Sequence, residues 1–128
     1  MNWQTSYQDN TQLVELTYSG AVSKTELAES AQATLKLAQD HGTYKVITDC
    51  TAMQAGHSLA DLYFLSDWLI SMKAHRLKEA VIMPTEAAYS ELARFWETTC
   101  INRGLRVRVF DQREAAERWL MEPSHPAH

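Results

Sequence analysis

The spacing of apolar residues changes several times along the chain, and each change marks an element. Trp3, Thr5 and Tyr7 alternate with polar residues. After "QDNT", Val14, Leu16 and Tyr18 alternate with Leu13, Glu15 and Thr17. A period of two on both sides of a polar turn predicts an antiparallel hairpin with one better-buried face. From Leu27 the period becomes helical, and Leu27, Ala31, Leu35 and Ala38 share one face. Ser23 and Glu26 form a capping box ahead of this helix, with Val22 and Leu27 as its apolar staple. Gly42 suits the left-handed residue that ends it.

"YKVITDC", residues 44–50, is the next strand. Val46 and Ile47 point to opposite faces, so both faces are expected to be covered. Residues 58–74 predict a second helix. Leu62, Leu65, Leu69 and Met72 form one stripe on it, and Phe64 and Trp68 form another, beside Tyr63 and Ile70. "EAVIMP", residues 79–84, is a short apolar strand stopped by Pro84. Thr85 is expected to cap a third helix carrying Ala88, Leu92, Phe95, Trp96 and Cys100, with Gly104 at its end. "LRVRVF", residues 105–110, sets Leu105, Val107 and Val109 opposite Arg106 and Arg108, a pattern suited to an edge strand. Asp111 to Glu114 reads as a second capping box, with Phe110 and Ala115 as its staple. Trp119 and Leu120 dock the final helix.

The order β-β-α-β-α-β-α-β-α predicts a single α/β domain over residues 1–121. Its sheet is mostly parallel with an antiparallel N-terminal strand. The tail "EPSHPAH", residues 122–128, is expected to be disordered. Ligand sites in such sheets lie beyond the carboxyl ends of the parallel strands. The loops there are 49–57, 84–86 and 110–112.

Composition narrows the function. A chain of 128 residues fits one domain. A net charge of −4 opposes a phosphate backbone, so no nucleic-acid partner is expected. No apolar run approaches the roughly 20 residues of a membrane helix, so no membrane span is expected. "MNWQTSYQDN" has neither a basic start nor an apolar run and does not read as a signal peptide. Cys50 and Cys100 have neither Cys-x-x-Cys nor zinc-ligand spacing. Free thiols and a cytoplasmic location follow as expectations.

Candidate chemistry gathers in "ITDCTAMQAGHSLADLYFL", residues 47–65. Ser58 reads as a helix N-cap with Asp61 as an acidic helper. The same hydroxyl is a candidate phosphosite, because a helix N-terminus favours a phosphate. His57 stands where the other two boxes have an apolar staple residue, so it faces either solvent or a ligand at the sheet edge. Cys50 with His57 would supply a nucleophile and a base. However, Cys50 ends a buried strand, and no nucleophile elbow accompanies it. A cysteine-dependent enzyme is therefore the remote alternative. Asp49, His57 and Asp61 match no metal-ligand spacing, and neither a metal nor a cofactor is expected. The candidate ligand- or partner-binding residues are Asp49, Thr51, His57, Ser58, Phe64 and Trp68. Helix 58–74 is apolar around more of its circumference than the one stripe of about 100° that a surface helix needs. Two readings stand for it: a core helix shielded by neighbours, or a patch for a protein partner, a homodimer or a small lipophilic ligand.

The segments "YSGAVSKTEL", "YKVITDCTAMQAG", "EAVIMP" and "GLRVRVFDQREAAERWL" together resemble the SpoIIAA-like family, within the STAS domains and their lipid-binding Sec14-like relatives. The likeness covers roughly residues 10–121. It implies a small α/β module that binds rather than catalyses. Family members in sporulation are switched by phosphorylation of a serine in an Asp-Ser-Ser-Gly-like motif, and Ser58 is the nearest match. Here "Ala55-Gly56-His57-Ser58-Leu59" departs from that motif, without its Asp, second Ser or Gly. The leading expectation is a non-enzymatic regulatory or protein-binding module. The alternative is a Sec14-like carrier of a small lipophilic molecule, which needs an apolar pocket between the sheet and helix 58–74.

Overall fold

The computed structural model describes residues 2–54 and 56–123. The alternating N-terminus forms a hairpin of β1 (Trp3–Gln8) and β2 (Leu13–Ala21), with Trp3 opposite Tyr18 and Tyr7 opposite Val14. β3 (Lys45–Gln54), β4 (Lys78–Ile82) and β5 (Arg106–Phe110) follow in parallel, and the order across the sheet is the order along the chain. The helices are α1 (Lys24–His41), α2 (Leu59–Ser71), α3 (Ser90–Asn102) and α4 (Arg113–Met121). This is the mixed α/β sheet the sequence predicts.

Stepping to the next neighbour each time with one hand of crossover puts α1, α2 and α3 on the same face. Leu16, Tyr18, Cys50, Val81 and Val107 meet Leu27, Leu62 and Trp96 on that face. The helix α4 comes after the last strand and covers the other face. There Leu13, Ile47, Ala80 and Ile82 pack on Ala116 and Leu120. Lys78 is buried at the end of α4, donating from Nζ to the Trp119 carbonyl at 2.6 Å and lying 4.6 Å from the Trp119 ring centre.

Local chemistry explains the helix ends. Ser23 Oγ accepts from the Glu26 amide at 3.2 Å, and the Glu26 carboxylate accepts from the Ser23 amide at 3.1 Å. Gly42 ends α1 at φ 64°, as expected. Four expectations are corrected. The strand expected to end at Cys50 runs on to Gln54, because Ala52, Met53 and Gln54 pair with Ser19, Gly20 and Ala21 of β2, so residues 49–54 of the expected loop are strand. The second helix ends at Ser71 rather than residue 74, because left-handed Lys73 redirects the chain into a 3-10 turn, Ala74–Arg76, that buries Ala74. Thr85 does not cap the third helix. Its amide donates to the Thr51 carbonyl at 3.1 Å, a 3-10 turn Ala87–Tyr89 intervenes, and α3 starts at Ser90. Asp111 does not form a capping box either. The cap is Gln112, one residue later, so Glu114 falls a position too early to reach back. Arg113 instead pairs with Glu15 at 2.6 Å and Glu117 at 3.2 Å. Of the tail expected to be disordered, residues 124–128 lie outside the described residues.

Candidate functional site

The helix α2 is held mainly by α3 and its C-terminal turn. Arg103 donates to Ser66 Oγ at 3.0 Å, pairs with Asp67 and lies 4.8 Å from the Tyr63 ring centre. The helix therefore hangs over the sheet, and small side chains at Ala31 and Ala93 do not fill the space beneath. A cavity of about 120 Å³ results between the sheet and α1, α2 and α3. Leu16, Val81 and Val107 form its floor, and Leu62, Leu65 and Leu69 of α2 form its roof. It runs from Leu77 and Arg106 at the start of the strands to His57, Pro84 and Tyr89 beyond their ends.

Few polar groups line this cavity. Glu79, in the middle of the sheet on β4, points to the helical side. Its Oε2 accepts from Thr48 Oγ1 at 2.5 Å, and its Oε1 accepts from Trp96 Nε1 at 2.8 Å. Tyr18 and Ser30 share a buried hydroxyl–hydroxyl hydrogen bond of 2.5 Å beside it.

Burial raises the Glu79 carboxyl above the usual carboxylate range, and the bonds from Thr48 and Trp96 only partly oppose this. The folded protein then holds the proton more tightly than the unfolded chain. Stability is lost as pH rises from the ordinary carboxylate pKa through the raised folded value. Glu79→Gln keeps both partners: its oxygen accepts from Trp96 and its amide donates to Thr48. The substitution is expected to stabilise the fold by about 1 kcal/mol at pH 7, and the gain should vanish near about pH 3.5. Thermal melts of both proteins across that range check this. An equal gain at every pH, or a loss at pH 7, would rule out the charge as its source.

The candidate residues from the sequence separate in space. His57 is half-buried, lines the cavity and bonds through Nδ1 to the Val22 carbonyl at 2.9 Å. Ser58 caps α2 at the rim, accepting from the Asp61 amide at 3.1 Å, while the Asp61 carboxylate accepts from the Ser58 amide at 2.9 Å. That contact is the first cause of the lowered Asp61 pKa. Asp49 and Thr51 do not join them. Asp49 pairs with Thr17 and Ile82 on the α4 side of the sheet, and its carboxylate binds the Thr51 amide at 3.0 Å and hydroxyl at 2.7 Å. Phe64 points outward and is 65% exposed, while Trp68 is half-buried. Cys50 is buried, and burial pushes its thiol up, with the Glu79 and Asp49 charges adding to it. The thiolate a nucleophile requires is disfavoured there. Among the described residues no group of His, Cys, Asp or Glu is placed to hold a metal ion, and no helix is long and apolar enough to cross a membrane.

Glu79, Thr48 and Trp96 were not among the sequence candidates. The signal for them was a carboxylate at the head of the short apolar strand 79–84.

Five strands in sequential order, three helices on one face and one on the other define a single-domain protein with a SpoIIAA-like fold. The chain is similar to an uncharacterized protein of the DUF3478 family with a SpoIIAA-like fold, from Shewanella loihica PV-4. The TM-score is 0.56 at 17% identity, over 92% of this chain and 91% of the other. Likeness at that identity concerns the fold alone. No family model matches the sequence, and no curated protein matches it.

Proposed function

We propose that this protein binds and carries a small, largely apolar molecule between its sheet and α1–α3. One observation carries the reading: the cavity of about 120 Å³ beneath α2, walled by leucine and valine side chains. An apolar void near 150 Å³ is enough to admit benzene. The ligand therefore has about six non-hydrogen atoms in this conformation. The apolar circumference of α2 supports the same reading. Its inner leucines, Leu62, Leu65 and Leu69, roof the cavity.

A second reading keeps the regulatory or protein-binding module, with a partner or homodimer on the outer face of α2. It is favoured by the exposure of Leu59, Tyr63, Phe64 and Met72, which are 39%, 46%, 65% and 46% accessible. Ser58 phosphorylation at the adjoining rim would act on that surface. Native mass spectrometry of gently purified protein addresses both readings. A reproducible small adduct is expected on the monomer, and Ala93→Leu, which fills the cavity from α3, is expected to remove it. A dimer with no adduct, lost in Phe64→Glu, would replace the carrier by the binding module.

A further inference from the structure

We infer that the ligand of this cavity carries a cationic, hydrogen-bond-donating end, of the primary alkylammonium type, that pairs with Glu79. This deepens the carrier reading and rests on it.

Glu79 sits on the floor of a chamber whose walls are mostly leucine and valine. Its two donors, Thr48 and Trp96, are neutral, so neither offsets its charge. A glutamine would keep both contacts, its oxygen accepting from Trp96 and its amide donating to a Thr48 hydroxyl turned round to accept, so contact with the protein does not by itself require a carboxylate here. Each carboxylate oxygen accepts two hydrogen bonds, so one further acceptor position remains beside each bond described. An ammonium group offers three donors and a full charge in a compact head. In a low-dielectric chamber, such a charge-assisted bond is worth far more than in water. The apolar walls take the body of the molecule and leave about five carbons for it.

Arg106 and His57 also line the cavity, at its two ends. A carboxylate ligand held at Arg106 is thus the rival arrangement. The arginine already donates to the Arg76 carbonyl and lies 5.5 Å from the Tyr44 ring centre, at the start of β5. Glu79 stands further along the chamber, under the leucines of α2.

The experiment compares n-pentylamine, 1-pentanol and pentanoate, by calorimetry and by shifts in backbone amide resonances. Wild type is expected to bind pentylamine roughly tenfold or more tightly than pentanol, with pentanoate weakest. In Glu79→Gln the amine preference should shrink to within about threefold, while pentanol binding persists and shows the cavity intact. Thr48→Val retains the carboxylate and should retain the preference. Pentylamine no tighter than pentanol in wild type, pentanoate tightest, or a preference surviving in Glu79→Gln each overturns the inference while leaving the carrier reading in place. Binding of none of the three overturns both. If Glu79→Gln fails to fold, the wild-type ranking decides alone.

Discussion

Leu120→Ala is expected to destabilise the fold by about 3 kcal/mol and to lower Tm by roughly 10 °C. The leucine is fully buried and packs against Leu13, Ile47, Ala80, Ile82 and Ala116. Among the described residues α4 is the one helix that covers this face, and Leu120 lies one residue from its end. Truncation removes the transfer free energy of the lost carbons and leaves a void that a strand-backed site closes poorly. It also weakens the last turn, whose Trp119 carbonyl holds the buried Lys78 ammonium. Urea unfolding of both proteins measures the loss. A cost below about 1 kcal/mol would mean that α4 is an accessory to the sheet rather than its second wall. The opposite face should respond differently. Over the cavity, added volume at Ala93 fills existing space, so the two sides of one sheet separate packing from binding.

Most of the architecture was legible because its signals are local. Alternation at Trp3–Tyr18, the capping box at Ser23 and Gly42 after α1 each act within a few residues. Where a local signal failed, a distant partner had taken over. Thr85 reads as a cap, but its amide is engaged by Thr51 across the sheet. Asp111 to Glu114 has the letters of a box, but Arg113 answers to Glu15, which lies 98 positions away. Such contacts leave no periodic trace.

The site was legible in part. The excess of apolar residues on α2 is visible in sequence, and it has two causes here: an inner face over a cavity and an outer face bearing Phe64. His57, odd as a staple residue, does line the cavity. Asp49 and Thr51 are neighbours of His57 along the chain, yet the pleat turns them to the far side of the sheet. Glu79 was readable only as the first letter of an apolar strand. Its meaning depends on Thr48 and Trp96, which meet it from the neighbouring strand and from α3.

The close approach at the rim yields the second large effect. A Cβ at Gly56 would stand 2.6 Å from the Val22 amide nitrogen and 2.7 Å from its carbonyl oxygen. Both are backbone atoms of a fully buried residue, held in place by the α1 cap that follows, so neither can swing aside. Gly56→Ala must therefore move its own loop. That breaks the His57 bond to the Val22 carbonyl and shifts Ser58, from which α2 starts. A cost of about 2 kcal/mol is expected, together with weakened pentylamine binding, because the roof moves with its first turn. Gly42→Ala is the matched control. Its φ of 64° is strained for alanine, but nothing lies within 4 Å of the added carbon. It should cost about 1 kcal/mol and leave binding unchanged. Denaturation and calorimetry on the two variants separate strain from displacement. Equal costs with binding intact in both would show that the cavity does not depend on the contact between Gly56 and Val22. Loss of binding in Gly56→Ala alone would make that contact the hinge on which the cover over Glu79 is hung.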